Sequence, residues 1–292
     1  MKRVLFFAMC IVAGISLATA QVTIKFNPNK GEKYLYVMDM TQDVKQDIMG
    51  QSMSIKNTIN MVYDMVVTEK TDNEITSLFT FKDMSMTVES SMMTMKYDSK
   101  NPPSNVTGMD ATLKKIIDSV LGSELTLVMG TDGTVKSAKG MESAINKMIS
   151  AFDGDPQGQQ MVEMMKGQFS DEAMKQQFEQ AFKVYPPAGK KVGDSWEVVQ
   201  NINNAGMTMN NKIKYTLKSA DGKNALVDFT ADIDGMNGQL KGEMTGTIKF
   251  DQQTGMNESN SVQTLKGTLS SNGIEVPMDI TTRTKVSMTV VK

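Results

Sequence analysis

The chain of 292 residues contains no histidine and a single cysteine, Cys10. Without histidine, imidazole-based triads, proton shuttles and metal sites are excluded. Cys10 lies within the first twenty residues, a stretch that reads as removable. Beyond it a thiol enzyme and a cysteine-ligated zinc site have no ligands. Past residue 20 the only arginine is Arg283, so bidentate clamps for phosphate or carboxylate are nearly absent as well. One residue type is abundant instead: 28 methionines, about one in ten, several times ordinary usage.

The N-terminus has the pattern of a secretory signal peptide. Lys2 and Arg3 form its positive end, Val4 to Leu17 an uncharged apolar run, and Ala18-Thr19-Ala20 a small-x-small cleavage site. The run is shorter than the roughly 20 residues of a membrane span, and no other stretch reaches that length. Acylation of Cys10 is the competing reading. It is disfavoured because only six apolar residues precede the cysteine. Cleavage after Ala20 predicts a periplasmic or secreted chain with no membrane span. It also removes two positive charges and no acid, shifting the formal net charge from −2 to −4. That balance argues against a nucleic-acid partner, whose proteins concentrate positive charge.

Two Pro-Pro connectors, residues 98–108 and 184–194, divide the rest. Outside them the apolar period is two; between them it is mostly near 3.6. In the first segment Tyr34, Tyr36, Met38 and Met40 alternate, as do Met53, Ile55, Ile59, Met61, Tyr63, Met65 and Val67. Ile75, Phe79 and Phe81 are followed by Met84, Met86 and Val88 on the opposite parity, which predicts a β-bulge near Asp83. The third segment alternates from Trp196 to Val290. A turn at 251–255 leads there into a polar stretch that reads as an edge strand. Alternation of this kind fits antiparallel strands with one packed face and one wet face.

The two β segments share features: Gly31-Glu32-Lys33-Tyr34 parallels Gly193-Asp194-Ser195-Trp196, and Tyr63, Asp72 and Phe79 parallel Tyr215, Asp221 and Phe229. A duplication is one explanation, and turn chemistry common to any two meanders is the other. The middle segment carries helical stripes. Met109, Leu113, Ile116, Ile117, Val120 and Leu121 form the first, and a short hairpin about Asp132-Gly133 follows. Met141 to Phe152 and Met161 to Phe169 make two more stripes. Ser170 then caps a helix bearing Met174, Phe178 and Phe182.

Catalytic signatures are missing. No serine has lysine three positions later, and none sits in Gly-x-Ser-x-Gly. Carboxylate pairs of the glycosidase type have no concentrated candidates, because the acids are scattered through turns and polar strand positions. Asp153-Gly154-Asp155-Pro156 opens like a calcium loop, but the twelfth position is Met164, with Glu163 one residue early, so it reads as an interhelical turn. The chain therefore reads as non-enzymatic, with no cofactor and no metal site of the common ligand types.

Methionine clusters such as Met38/Met40, Met84/Met86 and Met161/Met164/Met165 allow a Cu(I) reading, since thioethers are soft ligands. The same residues at periods of two and near 3.6 are core positions. Flexible, polarizable methionine also suits an apolar ligand of irregular shape. The speculative cavity lining on that reading is Met38, Met40, Met61, Met65, Phe79, Phe81, Met148, Phe152, Met164, Phe178 and Phe182. Trp196, at a strand start beside a Gly-Asp turn, reads as a core anchor.

Pro186-Pro187 followed by Val192-Gly193-Asp194-Ser195-Trp196 resembles a recurrent feature of uncharacterised exported proteins of Bacteroidota. Gly242-Glu243-Met244-Thr245-Gly246 and Asp251…Thr254-Gly255 resemble that group too. The resemblance is clearest over residues 184–292 and implies export, with no catalytic residues to carry over. The architecture is similar, by analogy of fold, to half-barrel-and-helix carriers of lipids and lipoproteins in the periplasm.

The expectation is an α+β chain. Residues 21–100 and 190–292 form a large, curved, half-barrel-like antiparallel sheet in one domain, and a helical insertion over 104–185 packs on its concave face. The expected function is exported, non-enzymatic binding of an apolar ligand, a lipid or an acylated partner. The alternative is an interaction or structural module of the cell envelope with a solid core, and the third reading is Cu(I) binding by methionine.

Overall fold

The computed structural model describes residues 21–48, 50–204, 207–255, 258–271 and 274–291. The expected signal peptide, its expected cleavage site and Cys10 lie outside the described residues. The alternating segments form strands β1 (Lys33–Ile48), β2 (Gln51–Lys70), β3 (Glu74–Ser90) and β4 (Thr94–Asp98). The middle of the chain holds helix α1 (Gly108–Val120), strands β5 (Glu124–Gly130) and β6 (Val135–Lys139), and helices α2 (Met141–Ala151), α3 (Pro156–Phe169) and α4 (Asp171–Phe182). Six strands follow: β7 (Ser195–Asn204), β8 (Met207–Ala220), β9 (Asn224–Gly235), β10 (Leu240–Asp251), β11 (Glu258–Ser271) and β12 (Ile274–Val291).

All twelve strands join one open antiparallel sheet of order β6-β5-β3-β2-β1-β12-β11-β10-β9-β8-β7, with β4 also on β3. The halves meet where β1 pairs with β12, Tyr36 opposite Met288 and Gln42 opposite Thr282. Laid flat, the eleven strands from β6 to β7 would span about 48 Å at ~4.8 Å per strand. Yet α4, 12 residues and so about 18 Å long, touches both β6 and β7. The sheet must therefore curl until its two edges meet across one helix.

Two expectations need adjustment. The polar stretch after residue 255 is not an edge: β11 lies between β10 and β12. Its inward positions Ser259, Ser261 and Gln263 are polar and only partly buried, whereas Leu265 on the same face is buried. The strand region does not begin at residue 21. Residues before β1 form an extended segment whose alternating Val22, Ile24 and Phe26 are buried, with one bridge from Val22 to Lys190. The hairpin expected about Asp132-Gly133 is β5–β6, and it extends the sheet beyond β3. The bulge expected near Asp83 falls at Lys82, where Val62 pairs Asp83 and Tyr63 pairs Phe81. This bulge keeps Phe79, Phe81, Met84 and Met86 on one face.

The resemblance between the β segments has a structural counterpart. Gly31 N–H donates to Val67 O and Val67 N–H to Glu32 O; Gly193 N–H donates to Leu217 O and Leu217 N–H to Asp194 O. Both second strands then bulge one residue later, after Val67 and after Leu217. The register makes the row Tyr34–Met65–Phe79 equivalent to Trp196–Tyr215–Phe229. Tyr63 is thus not the counterpart of Tyr215; Met65 is. Likewise Thr71, not Asp72, matches Asp221, each closing its turn by accepting two backbone N–H bonds.

The Gly242-Glu243-Met244-Thr245-Gly246 element gains a physical reason. A Cβ at Gly242 would run into the Thr264 carbonyl, and one at Gly246 into the Asn260 carbonyl and the Phe229 ring. Phe229 lies across from Gly246 in the register and covers it.

Charge is sorted by face. Ion pairs such as Lys82–Asp64, Arg283–Asp43 and Lys266–Asp279 lie on the outer face, each worth little in water. Turn carboxylates are held by backbone amides instead. The Asn224 and Lys223 N–H groups hold Asp221 below its ordinary 3.8, and the Thr134 N–H does the same for Asp132. Depressed acids add stability above their unfolded pKa and lose it as pH falls through the folded value. Burial raises the Tyr36 hydroxyl from 10.0 to about 12, and that stabilisation is lost as pH rises past the unfolded value. With no histidine, the urea midpoint followed by Trp196 fluorescence should stay flat from about pH 5 to 9 and fall below about pH 4. A marked loss between about pH 5 and 8 would contradict these assignments.

Candidate functional site

Strands β1 and β2 are 16 and 20 residues long, well beyond the usual five or six. Only part of their concave face is covered. At the end where β1 and β7 begin, it packs solidly: Tyr34, Met65, Ile75, Phe79, Trp196, Leu217, Val227 and Phe250 are buried beneath helices α2–α4 and the Val22–Phe26 segment. Toward the other end the same face is only half buried, through Met38, Met40, Val44, Ile55, Ile59, Ile280 and Val286. The result is a trough that is closed at one end.

Helix α4 makes the closure. Ser170 caps it, accepting from Ala173 N–H at 3.2 Å. Asp171 Oδ1 accepts from Gly140 and Met141 N–H, both at 3.1 Å, tying the start of α4 to that of α2. At the other end Gln200 Nε2 of β7 donates to Gln180 O at 3.0 Å. A chain of rings crosses the curve: Phe79 to Phe178 (5.1 Å), Phe178 to Phe182 (6.4 Å), Phe182 to Tyr185 (6.4 Å) and Tyr185 to Phe250 (5.6 Å). Phe26 packs on Phe182 at 5.4 Å. Aromatic pairs at such spacing contribute on the order of 0.5–1.5 kcal/mol beyond their burial.

Where the trough runs under α4 there is a pocket of about 110 Å3. Tyr36, Met38, Met61, Tyr63 and Phe79 form its floor, and Met174, Gln177, Phe178 and Ala181 its roof. At about 30 Å3 per water-sized group, it takes a chain end and not a whole lipid. Tyr63 Oη donates to Met61 Sδ at 3.2 Å and stacks edge-on against Tyr36 and Phe81. Burial, reinforced by Tyr36, pushes the Tyr63 hydroxyl well up. Both tyrosines therefore stay neutral at physiological pH.

Of the residues singled out in the sequence, Met38, Met61, Phe79 and Phe178 meet in this pocket. Met40 lies one step along the trough, paired with Ile59 and Thr284. Met65 and Phe81 are buried in the sheet's packed face, and Phe182 among the rings of the closure. Met148 and Phe152 lie in the α2 core, with Lys115 Nζ over the Phe152 ring at 5.1 Å. They belong to solid packing and not to the pocket. The Met164 side chain lies outside the described residues. Asp155 caps α3, accepting from Gly158 N–H at 3.1 Å, so the calcium-like stretch is an interhelical turn. The lining residues not singled out were Tyr36, Tyr63, Met174, Gln177 and Ala181. Tyr36 and Tyr63 share the parity of Met38 and Met61, and Met174 and Ala181 share the helical stripe of Phe178, so the signal was present.

A second depression of about 810 Å3, over the outer side of α2 at Glu142, Asn146 and Lys147, is shallow and solvent-open. No described helix is long and apolar enough to cross a membrane.

A model of the family described as "Family of unknown function (DUF6263)" matches residues 72–257. No curated protein matches the chain. Among solved structures, lipovitellin, in a study of its lipid–protein interactions, matches with a TM-score of 0.50 at 11% identity. The match covers 89% of this chain and 25% of that one, so the chain spans about a quarter of the lipovitellin polypeptide. At that identity the likeness concerns the fold alone. An exported protein with a YmcC-like fold from Bacteroides fragilis matches at 8% identity and a TM-score of 0.25, over 92% of this chain and 100% of that one. OccK7 (OpdD) of Pseudomonas aeruginosa gives 7% identity and 0.23, over 90% and 100%.

Proposed function

The chain belongs to the DUF6263 family, whose function is unknown, and we propose that it is an exported, non-enzymatic binding protein for an apolar ligand. The reading places it in the periplasm or outside the cell after cleavage at Ala20. One observation carries it: a methionine-rich concave face, solidly packed at one end, is only partly buried over the rest of its length and ends in an apolar pocket under α4. A face meant only for packing would be covered. Thioether side chains without branching adapt to a ligand's shape at little cost. The non-enzymatic part rests on chemistry. The pocket is lined by methionine, aromatic, alanine and glutamine side chains, and none of them is a carboxylate, thiol or imidazole suited to proton transfer at neutral pH. The fold shared with lipovitellin, a protein with lipid–protein interactions, is in keeping with this reading.

Native mass spectrometry of the protein purified from its own host is the first test. A lipid-sized mass released on activation is the expected result. A bare chain mass together with a crosslinked envelope protein would replace this reading with the interaction module. Discrete copper adducts would favour the thioether site, for which Met38, Met61 and Met84 stand side by side on adjacent strands.

A further inference from the structure

The trough is apolar along most of its length, but a strip of neutral hydrogen-bonding groups crosses it. Gln42 on β1 pairs with Asn57 on β2 and Thr282 on β12, and Thr282 pairs with Gln263 on β11. Residues paired in this way share a face. Asn57 Nδ2 donates to Gln42 Oε1 at 3.1 Å, and Gln42 Nε2 donates to Thr282 Oγ1 at 3.3 Å. All four side chains are half buried. The rows on either side, Met40 with Ile59 and Val44 with Ile55, Ile280 and Leu265, are apolar on these strands, apart from Thr284 and Ser261.

The distribution of charge is equally specific. Among the described residues, the concave positions of β1 from Tyr34 to Gln46, β2 from Met53 to Val67, β12 from Val276 to Met288 and β11 from Ser259 to Leu269 include no Asp, Glu, Lys or Arg. The charges on these strands face outward, as Asp39, Asp43, Lys56, Lys266, Arg283 and Lys285 do. A ligand lying on these four strands meets no countercharge from them. An anionic headgroup there would lose water without gaining an ion pair, which is costly. A neutral headgroup meets amides and hydroxyls with spare capacity. Gln42 alone retains one N–H and one acceptor lone pair beyond the bonds described.

We propose that the trough selects a neutral amphiphile, with an uncharged, hydrogen-bonding headgroup on the Asn57–Gln42–Thr282 strip and its hydrocarbon chain running to the pocket under α4. The inference rests on the apolar-ligand reading and adds the ligand class. The lengths agree. From Gln42 to Tyr36 is six residues, or about 20 Å of strand, against ~15 Å for the acyl region of one bilayer leaflet. The chain then lies over Met40 and Met38 and ends between Tyr36, Tyr63 and Phe178.

The test is displacement of a bound apolar fluorophore, N-phenyl-1-naphthylamine, from residues 21–292 at about pH 8, where a fatty acid is ionised. Monooleoylglycerol and oleate share the chain and differ in the headgroup. Monooleoylglycerol should compete at about tenfold lower concentration, the equivalent of one or two net hydrogen bonds. Gln42→Leu should still bind the fluorophore and should shrink that ratio to about twofold or less. Equal or tighter binding of oleate, or a preference unchanged in Gln42→Leu, would overturn the headgroup assignment while the apolar-ligand reading stands. Failure of the wild-type protein to bind the fluorophore at all would overturn both.

Discussion

Replacing Phe182 by alanine is expected to lower folding stability by about 3–5 kcal/mol, the range for a fully buried phenylalanine. Its ring is only 3% exposed and touches Phe26, Phe178 and Tyr185. Those partners belong to the N-terminal segment, to α4 and to the connector before β7, so one substitution loosens three parts of the closure. Burial of a large apolar side chain contributes about 1.5–3 kcal/mol by transfer, and the unfilled cavity adds the remainder. The effect should reach beyond stability. With α4 less firmly seated, the roof residues Met174, Phe178 and Ala181 lose their fixed place over Met38 and Met61. Urea unfolding followed by Trp196 emission gives the stability term, and fluorophore binding in the absence of urea gives the second. A loss below about 1 kcal/mol would mean that α4 does not hold the curved sheet closed.

The second large effect is at the sheet's opposite wing. Trp196→Ala is expected to cost about 3–5 kcal/mol, because the indole is buried, 7% exposed, and stacked on Tyr215 at 5.4 Å. Trp196→Phe should cost far less, on the order of 1 kcal/mol. The indole Nε1 has no hydrogen-bond partner among the described residues, so its removal strands no other polar group. The two variants together separate apolar packing from hydrogen bonding, with circular dichroism as the probe because Trp196 is the only tryptophan. Equal, large losses for both would show that the indole nitrogen carries a bond, and two negligible losses would contradict the anchoring of β7.

Much of this arrangement was legible in the chain. Period-two alternation placed the strands, the parity change before Met84 located the bulge to within a residue, and Ser170 marked the start of α4. What was not legible has physical reasons. Val22, Ile24 and Phe26 alternate like a strand, yet they are buried by helices and turns, and among the described residues their only β pairing is a single bridge to Lys190 in the connector before β7. Pairing depends on neighbours that are remote in sequence. β11 looked like an edge because Ser259, Ser261 and Gln263 are polar; they line a partly buried stretch of the trough, and the strand is paired on both sides. Phe152 and Phe178 carry the same apolar signal at the same period, but one is sealed in α2's core and the other roofs the pocket. Core and ligand lining use the same side chains, so which stretch of an apolar face stays open is decided by the curl of the sheet.

The repeat of the Tyr34–Met65–Phe79 row as Trp196–Tyr215–Phe229 explains why the two β segments resemble each other at their turns and little elsewhere. The matching residues are those that close the turn, place the bulge and anchor the packed end. Positions farther along β1 and β2 face the trough, whereas positions along β8 and β9, such as Ile213, Ala231 and Ile233, are buried. The two wings therefore serve different ends, one lining the open trough and the other completing the core.

The partly buried methionine face is proposed here as the binding surface. The most direct measurement is saturable binding of N-phenyl-1-naphthylamine to residues 21–292, comparing wild type with Met61→Glu on the concave face and Thr58→Glu on the exposed outer face of the same strand. Met61→Glu puts a charge into the pocket floor and should weaken binding at least tenfold, about 1.4 kcal/mol or more, while Thr58→Glu leaves it unchanged and Trp196 emission shows both variants folded. Equal binding by all three folded proteins, or none by the wild type, would contradict the account.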